Sequence, residues 1–285
     1  MIVVTGATGH LGKLVVEGLL EKLPADQVVA AVRTPEKAAA LAERGVEVRR
    51  ADYTDPESLV TAFKGADKLL LVSSSEVGQR VAQHQAVIEA AKRAGVGHLV
   101  YTSASKATTS KLAVAPEHKA TEELIEASGL TATILRNNWY HENYAETIKQ
   151  AAGTGSFVGS AGDGRIAGAA RADYAAAAVA VLAGEGHEGR IYELTGDTAY
   201  SYADLAAEIA KATGREITYA DLPADEHAKV LAQAGLPEPL IGFLVAIDGD
   251  IKDGLLAETT DDLRTLIGRP ATPVGVTVAE VAGPR

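Results

Sequence analysis

Three glycines near the start of the chain have the spacing of a phosphate-binding loop. Gly6 permits a tight turn, Gly9 lets a pyrophosphate approach the backbone, and Gly12 lets a helix pack close to a sheet. The N–H groups at the start of the following helix would then bind phosphate oxygens. The alternative is a glycine-rich turn that binds nothing, but a position at the first predicted strand–helix junction favours dinucleotide binding. The predicted contacts are Gly6, Ala7, Thr8, Gly9, His10, Leu11 and Gly12.

The residue after the second predicted strand indicates which nicotinamide cofactor binds. In an NAD site, Asp or Glu usually stands here to bond the ribose 2′-hydroxyl. This chain has Arg33 instead, with Thr34 and Lys37 close behind, and a guanidinium suits a 2′-phosphate. We therefore predict NADP(H), against the alternative of a solvated basic residue on a surface turn. Asp52, after the third strand, either meets the adenine amino group or caps a helix.

Polar segments follow the fourth and sixth predicted strands, and the carboxyl ends of parallel strands share one edge of a sheet. The residues after the fourth strand could contact the sugar or a phosphate of the cofactor, and they are Ser73, Ser74 and Ser75. The residues after the sixth strand combine polar and aromatic types, which favours a pocket wall; the cofactor-binding candidates there are Asn138, Trp139, Tyr140, His141, Glu142 and Asn143. The alternative is the start of an amphipathic helix with its tryptophan in the core.

These loops need a framework of alternating strands and helices, and the first half of the chain has that rhythm. The pattern predicts an α/β fold with a doubly wound parallel sheet of the Rossmann type, in strand order 3-2-1-4-5-6. We place an NADP-binding domain at 1–150 and a smaller C-terminal α/β lobe over the substrate at 151–285, with a soft boundary because later segments could return to the main sheet. The predicted strands are residues 2–4, 28–32, 46–50, 69–72, 99–101, 131–135 and 191–194.

Charge and composition disfavour several classes of function. With 27 basic and 38 acidic residues the net charge is −11, and so acidic a surface repels nucleic-acid phosphates and anionic lipid. The lack of cysteine removes disulfides and thiolate catalysis, and the spacing of the seven histidines matches no metal motif. We expect no nucleic-acid, membrane or metal partner. The chain opens without a basic leader before a long apolar run, from which we expect a cytoplasmic protein.

The motifs together resemble the NmrA-like branch of the atypical short-chain dehydrogenases/reductases, and within it the bacterial NADPH:quinone oxidoreductases of type 2. Triphenylmethane dye reductases are near relatives. The resemblance rests on the glycine loop, on Arg33 and on segments spread over nearly the whole chain, at 73–80, 135–144, 161–164, 171–174 and 266–270. It implies cofactor contacts from 6–11, Arg33, 73–75 and 138–143, and a substrate pocket between the two parts of the chain.

One position departs from the pattern of the wider dehydrogenase family. That pattern is Tyr-x-x-x-Lys, in which the tyrosine is the acid and the lysine lowers the pKa of the tyrosine. Here Lys119 is preceded four positions earlier by Ala115. Ordinary alcohol–ketone chemistry is disfavoured, because an alkoxide product is strongly basic and needs a proton donor in place. A quinone that accepts a hydride becomes a hydroquinone anion with a basicity like that of tyrosine, pKa about 10. The chain therefore fits direct hydride transfer from NADPH to a quinone or similar conjugated acceptor.

Three side chains are the candidates for catalysis. We expect His118 to be an auxiliary proton donor, with Tyr140 or Asn143 holding the acceptor oxygen by hydrogen bonds. The alternative for His118 is a polar residue on a helix surface.

The absence of the catalytic tyrosine also fits a non-catalytic NADP(H)-binding redox sensor. An epimerase or dehydratase ranks last, since those enzymes need the absent tyrosine. The expected partner is a small quinone-like molecule, and assembly as a homodimer stays open.

Overall fold

A seven-stranded parallel sheet forms the centre of the computed structural model, which describes residues 1–76 and 78–283. Its strands are β1 Ile2–Thr5, β2 Val28–Val32, β3 Glu47–Arg50, β4 Lys68–Leu71, β5 His98–Ala104, β6 Ala132–Asn137 and β9 Ile191–Leu194. They lie in the order β3-β2-β1-β4-β5-β6-β9, so the predicted order is confirmed and β9 extends it. Because the order changes direction between β1 and β4, a crevice is expected there beyond the carboxyl ends of the strands.

Helices cover both faces of the sheet, as its apolar strands require. All five residues of β2 are buried, which is typical of a parallel strand that is packed on two sides. The helices on one face are α1 His10–Leu20, α2 Ala39–Ala42, α7 Arg171–Ala183 and α11 Asp262–Ile267. The helices on the other face are α3 Pro56–Ala62, α4 Arg80–Ala94 and α5 Ala115–Ser128.

Local signals set the ends of several of these helices, and α1 is an informative exception. Asp55 caps α3 by accepting the Ser58 N–H at 3.3 Å, and Gly95 ends α4 in the left-handed conformation. The cap of α1 is Gly9, which has no side chain to satisfy the first N–H groups. The first turn of α1 therefore keeps donors available for a ligand at the carboxyl edge of the sheet.

The second half of the chain builds a smaller lobe with a core of its own. Its elements are α6 Ala145–Thr154, β7 Ser156–Gly159, β8 Arg165–Ile166, β10 Tyr200–Ser201, α8 Tyr202–Thr213, β11 Thr218–Asp221, α9 Ala224–Gln233, α10 Glu238–Lys252 and α12 Val274–Ala282. Strand β7 pairs with β11 in parallel and β8 with β10 antiparallel. Since β9 and α7 belong to the main sheet and its helical cover, the boundary near residue 150 stays an interpretation.

Some predicted elements differ from the structure. Proline in the first turn and a terminal glycine at position 45 predict a helix over 35–44, whereas the structure has a 3-10 helix, Pro35–Ala38, followed by the short α2. The helix expected from Val77 begins at Arg80, and Val77 itself lies outside the described residues. Helix α10 was not predicted, because its glycines resemble helix breaks; the burial of its apolar side chains in the lobe core outweighs that propensity. None of the described helices has the length and apolar character needed to span a bilayer.

Candidate active site

A cleft with a volume of about 600 Å³ lies beyond the carboxyl ends of the central strands and reaches the smaller lobe. It brings together most of the residues that the sequence singled out. Those lining it are Gly6, Thr8, Gly9, His10, Leu11, Gly12, Arg33, Asp52, Ser73, Ser74, Ser75, His118, Asn138, Trp139, Tyr140 and Asn143. The cleft has the glycine loop in its middle, a basic end near β2 and an apolar end near β5 and β6.

The glycine loop in the middle of the cleft has the geometry of a phosphate site. Gly6 adopts a φ of 59°, which L side chains rarely take, and its carbonyl accepts the Gly9 N–H at 2.8 Å. A Cβ at position 12 would clash with the Gly6 carbonyl oxygen, so only glycine permits this approach of α1 to the loop. The uncapped first turn of α1 then presents its N–H groups beside the loop.

The serine loop after β4 is held by hydrogen bonds to its backbone. Ser73 donates its N–H to the Thr102 hydroxyl at 2.9 Å. Ser74 donates its N–H to His84 Nε2 at 2.9 Å and accepts from Arg80 Nε at 2.7 Å. These bonds fix the loop at the edge of the cleft, opposite the glycine loop.

The basic end of the cleft carries Arg33 on its rim. The side chain is 71% exposed, and its Nη1 lies 3.5 Å from Glu76 Oε1; Lys37 lines the same end. Asp52 accepts from the Thr54 N–H and hydroxyl at 3.0 and 2.8 Å, and these bonds hold the pKa of its carboxyl below the usual range. Asp52 is therefore a charged residue of a local turn. It does not cap helix α3, whose N-cap is Asp55.

Three predicted contacts do not line the cleft. Ala7 is fully buried beneath the glycine loop. His141 and Glu142 belong to a 3-10 helix, in which residues three apart share a face. Tyr140 and Asn143 consequently line the cleft, whereas the His141 ring packs on Tyr200 with centroids 5.4 Å apart. The Glu142 carboxylate accepts the backbone N–H at the start of α7, at 2.9 Å. Neither side chain lines the cleft, and contact of residues 141 and 142 with the cofactor stays a prediction.

The apolar end of the cleft is formed by segments that are distant in the sequence. Its walls are Leu112, Val114, Trp139 and Leu256, with Asn137 and His118 as polar groups between them. Asn137 Nδ2 donates to the Tyr140 hydroxyl at 3.1 Å, which leaves the phenol proton available to a ligand. An apolar pocket with a few convergent polar groups suits a flat neutral molecule that bears oxygen atoms.

His118 is buried behind this end of the cleft and is uncharged. Its Nδ1 lies 2.7 Å from the Tyr101 hydroxyl. Burial, together with the nearby Arg80 and His84, lowers the pKa of His118 to about 3. At neutral pH the ring is a neutral imidazole, which can donate one hydrogen bond without carrying a charge.

Sequence reasoning missed several lining residues. Arg171, at the start of α7, places its guanidinium carbon 5.1 Å from the centre of the Tyr140 ring and lines the cleft. The signal in the sequence that could have identified Arg171 was a basic residue at the start of an alanine-rich segment. Leu256 gave no signal, because a leucine in a short apolar segment after a helix is indistinguishable from a core residue in sequence.

The doubly wound parallel sheet, the glycine loop at its crevice and the basic residue after β2 define a Rossmann-type dinucleotide-binding protein. The sequence model of the NmrA-like family matches residues 1–247. The chain belongs to the NmrA-like family, as the sequence motifs predicted.

Individual relatives resemble the chain over its whole length. It is 48% identical to quinone oxidoreductase 2 of Escherichia coli (strain K12) over 281 residues, which cover 99% of this chain and 98% of the relative. The crystal structure of the E. coli NADPH-dependent quinone oxidoreductase complexed with NADPH superposes with a TM-score of 0.96 and 48% identity, covering 99% of each chain. The Citrobacter sp. triphenylmethane reductase complexed with NADP(H) has a TM-score of 0.95 and 39% identity, covering 99% of this chain and all of the other.

Proposed function

We propose that this protein is an NADPH-dependent oxidoreductase that transfers a hydride to a quinone or a similar conjugated acceptor. The observation that carries the proposal is one continuous cleft, which joins a phosphate-binding loop and a basic residue to an apolar end with hydrogen-bond donors. The similarity to an NADPH-dependent quinone oxidoreductase over 99% of both chains supports it.

The residues of the cleft fit NADPH. The first turn of α1, capped by Gly9 without a side chain, offers open N–H groups that suit a pyrophosphate. Arg33 and Lys37 would hold the 2′-phosphate, and Arg171 offers a further cation beside Tyr140. When bound, NADPH supplies a hydride from C4 of its nicotinamide.

The chain's own contribution to the reaction would be positioning, exclusion of water and stabilisation of charge. Leu112, Trp139 and Leu256 would hold the acceptor ring in an apolar slot. His118 and the Tyr140 hydroxyl would donate hydrogen bonds to an acceptor oxygen, where negative charge develops as the hydride arrives. Such donors act more strongly in a dry pocket than in water.

The residues at the positions of the family's tyrosine and lysine agree with the reduction of a quinone. Ala115, which stands where the wider family has tyrosine, is buried at the start of α5. Lys119 does not line the cleft, and its Nζ lies 3.9 Å from Glu123 on the same helix. The site therefore suits an acceptor whose reduced form needs no strong acid, such as a hydroquinone anion with a basicity close to that of tyrosine, pKa about 10.

The redox-sensor alternative differs in what it requires of the cleft. A protein that only senses NADP(H) has no need of an apolar slot beyond the nucleotide. The slot lined by Leu112, Val114 and Leu256 therefore favours an enzyme over a sensor.

The test is to follow NADPH oxidation with p-benzoquinone by absorbance and to measure hydroquinone as product. We expect one hydroquinone per NADPH. The matched variant His118→Phe should bind NADPH normally and lose about 100-fold in kcat, the usual effect of removing one donor to an oxyanion. If the protein binds NADPH but turns over neither quinones nor triarylmethane dyes, it is a sensor and the proposal is wrong.

The expected partner is a small quinone-like molecule. The cytoplasmic location and the lack of a nucleic-acid partner stay predictions from the sequence. Whether the protein assembles as a homodimer stays open.

A further inference from the structure

We propose that Tyr101 is a positioning residue that fixes the tautomer of His118, so that Nε2–H is presented to the acceptor oxygen. The inference deepens the quinone reduction proposed above and rests on it. In the neutral ring only one nitrogen carries a proton, and which one it is decides whether the cleft meets a donor or an acceptor.

The geometry of the pair points to a single arrangement. Tyr101 lies in the middle of β5, and its side chain is fully buried. A buried phenol proton requires an acceptor, and His118 Nδ1 lies 2.7 Å from the Tyr101 oxygen. If tyrosine donates to Nδ1, that nitrogen is unprotonated and the ring proton resides on Nε2. His118 lines the cleft, and Nε2 is the ring nitrogen that Tyr101 leaves available to a ligand there.

The neighbouring polar groups have their hydrogen bonds committed elsewhere. The Ser74 N–H donates to His84 Nε2 at 2.9 Å, so His84 carries its proton on Nδ1, which lies 2.9 Å from the Thr121 hydroxyl oxygen. The Thr121 hydroxyl in turn donates to the Glu117 carbonyl at 2.8 Å. Thr121 thus already donates one bond and accepts another. Its oxygen has a second lone pair, so the acceptor of the tyrosine proton is assigned by distance: His118 Nδ1 lies 2.7 Å from the Tyr101 oxygen.

The protonation states exclude a relay of protons through the pair. Burial raises the pKa of Tyr101 and lowers that of His118 to about 3. Transfer of the Nε2 proton to the product would leave either an imidazolate or a buried tyrosinate, and both are strongly disfavoured. The hydride brings two electrons and one hydrogen to the quinone, His118 Nε2–H stabilises the resulting oxyanion, and water supplies the second hydrogen as a proton.

A direct test reads the tautomer without turnover. Protein labelled with ¹⁵N-histidine should give, at neutral pH, one neutral ring protonated on Nε2 that disappears in His118→Phe. A neutral ring protonated on Nδ1, or an imidazolium at that position, would overturn the inference whatever the enzyme reduces.

A double-mutant cycle tests whether Tyr101 acts through His118. Tyr101→Phe should lower kcat for p-benzoquinone about 10-fold while KM and the dissociation constant of NADPH stay within about twofold, since only a transition-state contact is lost. Combined with His118→Phe it should add nothing further, because the two residues act as one unit. Additive losses, or an unchanged kcat in Tyr101→Phe, would contradict the proposal.

The matched control is Tyr202→Phe. This substitution removes another buried tyrosine hydroxyl, which donates to Asp248 at 2.6 Å in the smaller lobe, and we expect it to change neither kcat nor the His118 signal. An equal loss in the control would assign the effect of Tyr101→Phe to general destabilisation. If the wild-type chain reduces no quinone although the Nε2–H tautomer is present, the proposed function fails and the hydrogen-bond assignment stands.

Discussion

Replacing Arg33 by alanine should weaken NADPH binding and leave NADH binding nearly unchanged. The 2′-phosphate carries a charge of about −1.5 to −2 at pH 7. Two unit charges 4 Å apart in water interact by about 1 kcal/mol, and the 71% exposure of Arg33 makes its surroundings water-like. The guanidinium–phosphate attraction is therefore worth about 1.5–2 kcal/mol.

Part of that gain is offset by the partner that Arg33 already has. Glu76 lies 3.5 Å from the guanidinium, and an exposed pair of this kind contributes less than about 1 kcal/mol. Binding of the phosphate must share or break that pair, which leaves a net gain of about 1 kcal/mol, or about fivefold in affinity. Arg33→Ala should accordingly raise the dissociation constant of NADPH about fivefold, and Arg33→Asp should raise it further.

The assay is a fluorescence titration of both reduced cofactors at low and high salt. The variant Glu76→Gln should have the opposite effect on binding. Because it removes the carboxylate that pairs with Arg33, it should lower the dissociation constant of NADPH about threefold. Arg44→Ala removes the same charge from an exposed site outside the cleft and should change neither cofactor. Equal losses for NADPH and NADH in Arg33→Ala would refute the assignment of the 2′-phosphate to this residue.

Three further predictions follow from the same geometry. Gly12→Ala should abolish NADPH binding in the titration, because its Cβ would clash with the Gly6 carbonyl, while Gly153→Ala, which meets nothing within 4 Å, should bind normally. The pH profile of kcat for quinone should be flat between about pH 5 and 8, since the pKa of His118 is lowered to about 3. A change of slope in that profile near pH 6.5 would contradict this. Burial lowers the pKa of His141 from 6.5 to about 4, so between those pH values the unfolded chain binds a proton at this residue that the folded chain does not. His141 should therefore contribute about 1 kcal/mol per pH unit to the fall in the free energy of unfolding as pH drops, in addition to the contributions of His84 and His118, whose pKa values are lowered to about 3. In denaturant titrations His141→Gln should reduce the slope by that amount, and an unchanged slope would contradict the assignment.

The main sheet was predictable because its signals are local. Most of its strands contain a short apolar run, several helices have a cap or a terminal glycine such as Gly95, and the order of a doubly wound sheet follows from right-handed crossovers. Ser201 and Asp204 have the spacing of a capping box in the sequence, and the structure has that capping box at the start of α8. Helix α10 escaped prediction because its apolar residues are stabilised by contacts with the lobe core, which outweigh the low helix propensity of its glycines.

The sequence by itself predicted the nucleotide end of the site, since the glycine loop and Arg33 are local signals, each directly after one strand. Only the tertiary structure decided the acceptor end, where Leu256 meets segments that are more than a hundred residues away in the chain. It also decided the direction of side chains: the 3-10 geometry turned His141 out of the cleft. Contacts between distant segments and the orientation of single side chains depend on the packing of the whole fold, which no local pattern specifies.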